Sequence, residues 1–107
     1  MNEVLAEIDA WQEAGNQVAI ATVVKVEGSA PRPVGATMAV SSGGDLAGSV
    51  SGGCVETDVF VEAQEVLKTG IPKLLRYGIS DEMAWDVGLA CGGTIEVFVE
   101  PLEAEGK

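Results

Sequence analysis

Apolar residues recur at helical spacing at the start of the chain and then switch to a period of two. Val4, Leu5, Ile8 and Trp11 repeat three and four residues apart after Asn2, and Gly15-Asn16 supplies a stop, which predicts an amphipathic helix over residues 2 to 14. From 17 to 27 alternate positions share a face. Val18, Ile20, Thr22, Val24 and Val26 fall on one side and Ala19, Ala21 and Val23 on the other, as in a strand covered on both sides at its start. The small alanine face admits a closely packed helix.

Gly28-Ser29-Ala30-Pro31-Arg32-Pro33-Val34-Gly35 cannot continue that strand, because two prolines remove donors and fix φ. It is expected to be an ordered loop. Residues 36 to 41 and 45 to 50 read as short strands joined through Ser42-Gly43-Gly44, which has the turn chemistry of a hairpin. After Gly52-Gly53, an apolar stripe of Val55, Val59, Phe60, Ala63, Val66 and Leu67 predicts a second helix. Glu56 and Asp58 suit its first turn, Lys68 its last, and Gly70 and Pro72 end it. Residues 73 to 79 read as a strand, Ser80 to Val87 as a short helix or loop, and Thr94 to Glu100 as a final alternating strand ended by Pro101. The order α-β-β-β-α-β-β predicts an α+β fold: a single small domain with a mixed β-sheet of about five strands and two main helices. The core is expected over about residues 2–102, with a frayed acidic tail at 103–107.

A length of 107 residues allows one domain with one modest core. Hydrophobic residues make up 47% and charged ones 21%, which is globular rather than disordered, and the apolar runs are too short to cross a bilayer. The start of the chain lacks the basic and apolar stretches of a secretory signal, so a cytoplasmic location is expected. Seventeen acidic residues against six basic ones give a net charge of -11, which argues against nucleic acid and membrane partners. An anionic ligand would need a local grip from backbone N–H groups, aided by Arg32, Lys25, Lys73 or Arg76. Histidine is absent, which removes the Ser-His and Cys-His nucleophile pairs and the commonest metal ligand.

The chain's two cysteines each adjoin a glycine pair, in Gly52-Gly53-Cys54-Val55-Glu56 and in Cys91-Gly92-Gly93-Thr94-Ile95-Glu96. Glycine pairs let a ligand approach main-chain N–H groups, and a neighbouring thiolate can bind metal or act as a nucleophile. Cys54 falls at the start of the second predicted helix, where the dipole and unpaired N–H groups lower a thiol's pKa. The plainer readings are a small buried hydrophobe for Cys54 and simple tight turns for the glycines. Free thiols are expected in a reducing compartment, with a Cys54 to Cys91 disulfide as the alternative. Glu56, Asp86 and Glu96 flank the glycine sites and can ligate or shuttle protons, against the plainer reading of solvated surface charge. No Gly-x-Gly-x-x-Gly or Walker-type sequence is present, so nucleotide binding is unsupported.

Taken together, Gly28 to Ala36, Gly48-Ser49-Val50-Ser51-Gly52-Gly53-Cys54-Val55-Glu56, and Asp86-Val87-Gly88-Leu89-Ala90-Cys91-Gly92-Gly93 through Glu100-Pro101 resemble the XdhC/CoxI family in order and spacing. The similarity runs from about residue 13 to 102, the family's N-terminal domain. It implies an accessory protein rather than an enzyme: a chaperone that binds molybdenum cofactor, protects it during sulfuration by a cysteine desulfurase, and helps insert it into a molybdenum hydroxylase apo-enzyme such as xanthine dehydrogenase or carbon monoxide dehydrogenase. The implied cofactor-binding residues are Arg32, Ser51, Gly52, Gly53, Cys54, Cys91, Gly92 and Gly93, with Cys54 and Cys91 as molybdenum or sulfur contacts. Many longer members continue into a Rossmann-like domain, whereas this sequence stops after the first domain; the expectation is that it acts alone, meets a separately encoded Rossmann-domain partner or is a fragment, with a homodimer as a way to compensate. Two other readings stay open: a sulfur carrier or sulfurtransferase-like protein using Cys54 or Cys91, and a regulatory or interaction domain whose glycines only form turns.

Overall fold

The computed structural model describes residues 4–27, 33–51, 55–77 and 94–102. Among them are two helices and five strands, in the order expected: α1 (Leu5–Glu13), β1 (Val18–Glu27), β2 (Thr37–Ser41), β3 (Leu46–Gly48), α2 (Glu56–Thr69), β4 (Lys73–Tyr77) and β5 (Thr94–Pro101). The strands form one sheet in the order β3-β2-β1-β5-β4. All four pairings are antiparallel, so strand direction is not mixed. Residues 80 to 87, read as a short helix or loop, lie outside the described residues. No helix among the described residues is long and apolar enough to cross a membrane.

Local chemistry sets the element ends. At α1 the amide of Asn16 bonds the carbonyl of Trp11 (2.9 Å) and that of Gly15 the carbonyl of Gln12 (3.0 Å), with Gly15 at φ +92°. This double bond pattern around a left-handed glycine terminates the helix by satisfying its last carbonyls. Gly70, at φ +73°, ends α2 in the same region, and its N–H bonds Val66. Between β2 and β3 the turn through Ser42, Gly43 and Gly44 closes on hydrogen bonds between Ser41 and Asp45, as the turn residues predicted. Ser42 also bonds Gln17 in both directions, tying this hairpin to the start of β1.

Helices cover the two faces unequally. On one face Val59, Ala63 and Val66 of α2, with Val55 just before it, pack on Ala19, Ala21, Val23, Met38, Val40, Ile95, Val97 and Val99. The alanine face of β1 is the one beneath α2, as its small side chains predicted. On the other face Ile8 of α1 and Val4 just before it are buried against Val18, Ile20 and Ala39, with Trp11 and Leu102 alongside. β2 lies under both helices, and all five of its residues are buried.

The far half of β1 departs from the expected alternation. The period of two placed Val24 and Val26 with Val18 and Ile20, but the β1 to β5 register slips between Val23 and Lys25. Val23 faces Val97, Lys25 faces Glu96, and Val24 is the extra residue of a bulge, 46% exposed. One inserted residue inverts every side chain beyond it. Val26, opposite Ile95, therefore joins the α2 face.

β3 ends sooner than expected because Gly48 takes φ +78°, and a Cβ there would lie 2.3 Å from the Thr37 carbonyl oxygen and 2.8 Å from Val4 Cγ1. Gly48→Ala combines left-handed strain with a backbone clash and is expected to cost at least about 3 kcal/mol. Gly15→Ala meets open space and should cost about 1 to 2 kcal/mol from strain alone. Urea unfolding of the two variants beside the parent checks the ranking.

Candidate functional site

Antiparallel topology collects several chain reversals at one end of the sheet. β1 ends there at Glu27, opposite Thr94, where β5 begins. Tyr77, the last residue of β4, pairs with Ile95 at the same end. β2 starts there after Gly35 and Ala36, which bond the Val23 backbone at 2.8 and 2.9 Å, and β3 arrives there at Gly48 opposite Met38. α2 also starts over this end, because Asp58 in its first turn accepts a 2.5 Å hydrogen bond from the Tyr77 hydroxyl. The described residues that flank three glycine-bearing segments, 28–32, 52–54 and 78–93, thus lie at one end of the sheet, whereas the Ser42-Gly43-Gly44 turn lies at the other.

A carboxylate holds the turn that enters α2. Glu56 Oε2 accepts hydrogen bonds from the amides of Val50 and Ser51, both at 2.9 Å, and Oε1 accepts one from the Ser51 hydroxyl at 2.6 Å. Ser51 Oγ in turn accepts the Val55 amide at 2.9 Å. Residues 50, 51 and 55 are therefore tied to Glu56, and only Gly52, Gly53 and Cys54 run between the fixed ends. Burial acts to raise the Glu56 pKa, but the bonds from the Ser51 hydroxyl and the Ser51 and Val50 amides outweigh it and bring it from 4.5 to about 2. At Tyr77, burial first and the bond to Asp58 second push the hydroxyl well above its ordinary range.

Most of the described cations are already balanced. Lys73 Nζ sits 2.8 Å from Glu62, Lys25 Nζ 3.3 Å from Glu27, and Arg76 Nε 3.9 Å from Glu96. Lys73 also begins β4 at the end away from the loops, so it does not serve an anion there. Among the described residues no cluster of acidic or cysteine side chains could hold a metal ion.

Of the site residues named from sequence, Ser51 is described; Arg32, Gly52, Gly53, Cys54, Cys91, Gly92 and Gly93 lie outside the described residues, as does Asp86. Ser51 is fully buried, and its hydroxyl both donates and accepts within the turn. Glu56 is neither solvated charge nor a free ligand: it is the acceptor around which the turn closes. The available sequence signal was a serine five residues before a glutamate across a glycine pair. Tyr77 gave no signal, because its partner lies 19 residues away.

A five-stranded antiparallel sheet with a helix on each face and glycine-bearing connections anchored at one end defines a small α+β domain. The chain belongs to the XdhC and CoxI family, whose model matches residues 11–78. It is 38% identical over 94% of its length to a probable xanthine dehydrogenase subunit of Bacillus subtilis, covering 31% of that protein. It is also 38% identical over 85% of its length to the molybdenum cofactor insertion chaperone PaoD of Escherichia coli, covering 28%. The crystal structure of a xanthine dehydrogenase from Bacillus halodurans superposes with a TM-score of 0.78 at 34% identity, over 94% of this chain and 30% of that one. The chain thus spans about a third of the length of these relatives.

Glu56 and Tyr77 lose their contributions to stability at opposite ends of the pH scale. Glu56 has a depressed folded pKa, so its contribution is present above pH 4.5 and is lost as pH falls toward 2. After allowance for solvent screening it should amount to about 1 to 2 kcal/mol. Tyr77 has a raised one, so its contribution is present below pH 10 and is lost as pH rises beyond it. Urea unfolding from pH 7 to pH 3 should show a parent-minus-Glu56→Gln difference that shrinks on acidification. Tyr77→Phe should cost about 1 to 2 kcal/mol at pH 7, and its deficit should narrow above pH 10.

Proposed function

We propose that this domain binds molybdenum cofactor as cargo, protects it during sulfuration and helps insert it into a molybdenum hydroxylase. The observation that carries the reading is the anchoring, at one end of the sheet, of the three segments that bear Arg32, Gly52-Gly53-Cys54 and Cys91-Gly92-Gly93. Similarity to an insertion chaperone supports the class of function. Glycine N–H groups and the fork-shaped Arg32 guanidinium suit the cofactor's phosphate, and the thiolates of Cys54 and Cys91 suit its molybdenum or its transferable sulfur. Ser51 contributes through the shape of the turn, since its hydroxyl is engaged with Glu56 and Val55.

A domain of 107 residues offers little surface to enclose a large cofactor. The rest of the enclosure would come from a second copy in a homodimer or from a separate Rossmann-domain protein. The partners are then the hydroxylase apo-enzyme and a cysteine desulfurase, in the cytoplasm, where thiols stay reduced. The names of two relatives favour a second reading, a standing component of a xanthine dehydrogenase.

The protein purified from cells with active cofactor synthesis should carry a molybdopterin, read as pterin fluorescence after oxidation and as molybdenum content. Cys54→Ser or Cys91→Ser should lower that content about ten-fold. An empty parent protein overturns the chaperone reading. A single added sulfur on one thiol after incubation with desulfurase and cysteine, without cofactor, favours the sulfur carrier. Stoichiometric retention in the finished enzyme favours the standing component.

A further inference from the structure

An acidic residue in the first turn of a helix ordinarily needs no special account, because the helix dipole favours it there. Glu56 does something different. Its oxygens reach out of α2 to the preceding segment, where they take two consecutive amides and a hydroxyl. Asp58, in the same turn of the same helix, serves Tyr77 instead. Through Ser51 Oγ the contact returns to Val55, so the bonds form a closed circuit spanning Gly52, Gly53 and Cys54.

We propose that Glu56 is the positioning residue of the Gly52-Gly53-Cys54 segment: it holds the two ends of that segment in the geometry that captures the cargo, without touching the cargo itself. The inference rests on the cofactor-binding reading above. Glycine loses more backbone freedom on ordering than any other residue, and fixing one residue costs about 1 to 2 kcal/mol. If the ends are tied beforehand, part of that ordering cost falls on folding rather than on binding. The bound carboxylate also fills the concavity formed by the Val50 and Ser51 amides, which could otherwise have received a phosphate. Its negative charge, retained across the neutral range, turns an anionic ligand away from this side of the turn. A phosphate gripped by the turn must therefore be met by residues beyond Ser51.

The test compares Glu56→Ala, Glu56→Gln and Ser51→Ala. Alkylation of Cys54 by iodoacetamide is followed against pH in a Cys91→Ser background, and molybdopterin content is measured with both cysteines present. In protein shown by circular dichroism to be folded, Glu56→Ala and Ser51→Ala should change the Cys54 alkylation rate at least three-fold and lower cofactor content at least ten-fold. Glu56→Gln, which keeps one acceptor oxygen, should fall between them and the parent. Folded variants with the parental alkylation profile and parental cofactor content overturn the proposal and leave Glu56 a purely structural residue. Should Glu56→Ala fail to fold, Ser51→Ala and Glu56→Gln remove fewer bonds and decide the question by the same readings. A parent protein that carries no cofactor defeats the functional reading alone, because the alkylation profile still decides whether Glu56 positions Cys54.

Discussion

The close approach of α2 to the middle of the sheet is the contact on which the rest of the structure depends. Ala19 and Ala21 put only methyl groups beneath the helix, and Ala63 does the same from above. Larger residues fill the flanks, with Met38 and Val40 on one side and Val97 and Val99 on the other, so small and large alternate across the layer. Burying Val59 and Val66 contributes about 1.5 to 3 kcal/mol each. The depth and direction of α2 then decide what its polar residues reach. Glu62 meets Lys73 where β4 begins, Asp58 meets Tyr77 where it ends, and Glu56 meets the turn leading in from β3. A bulkier residue at Ala21 would lift the helix and strain those polar contacts, although none of them involves Ala21.

The elements were largely legible in the sequence because each follows a short-range rule. Periodicity located both helices and all five strands, and Gly15, Gly70 and the Ser42 to Gly44 turn marked ends that the structure places within a few residues. The Val24 bulge escaped because a period of two continues through it; nothing in Val23-Val24-Lys25 says which residue a partner strand will skip. The early end of β3 escaped for a similar reason. Its cause is the Thr37 carbonyl lying against Gly48, a fact about β2 rather than about β3 itself.

The site was less legible than the fold, and Glu56 shows why. Glu56 and Asp58 look equivalent in sequence: both are first-turn acids on a helix with an apolar stripe. Their roles separate only when α2 is laid on the sheet, which puts one beside the preceding turn and the other beside a tyrosine from β4. Ser51 is a related case. It stands beside the glycine pair in sequence, which suggested contact with a ligand, yet in the fold its buried hydroxyl bonds the Glu56 carboxylate and the Val55 amide. Adjacency along the chain does not reveal which side chains are taken up in bonds to their neighbours.

An acidic domain proposed to hold an anion also has to solve an electrostatic problem. Screening confines surface charge effects to about 8 Å at physiological ionic strength, so the net charge of -11 governs encounter more than the grip on a seated ligand. Near the loop end, the described cations Lys25 and Arg76 already face Glu27 and Glu96, and the amides of Val50 and Ser51 already hold Glu56. Lys68 lies in the last turn of α2, away from that end. Of the residues proposed for the site, those offered to an anion are the main chain of the glycine pairs and Arg32. Such a grip would be short in range and strict in geometry. It also explains the value of fixing the ends of the glycine segment, because main-chain donors are only as well placed as the backbone that carries them.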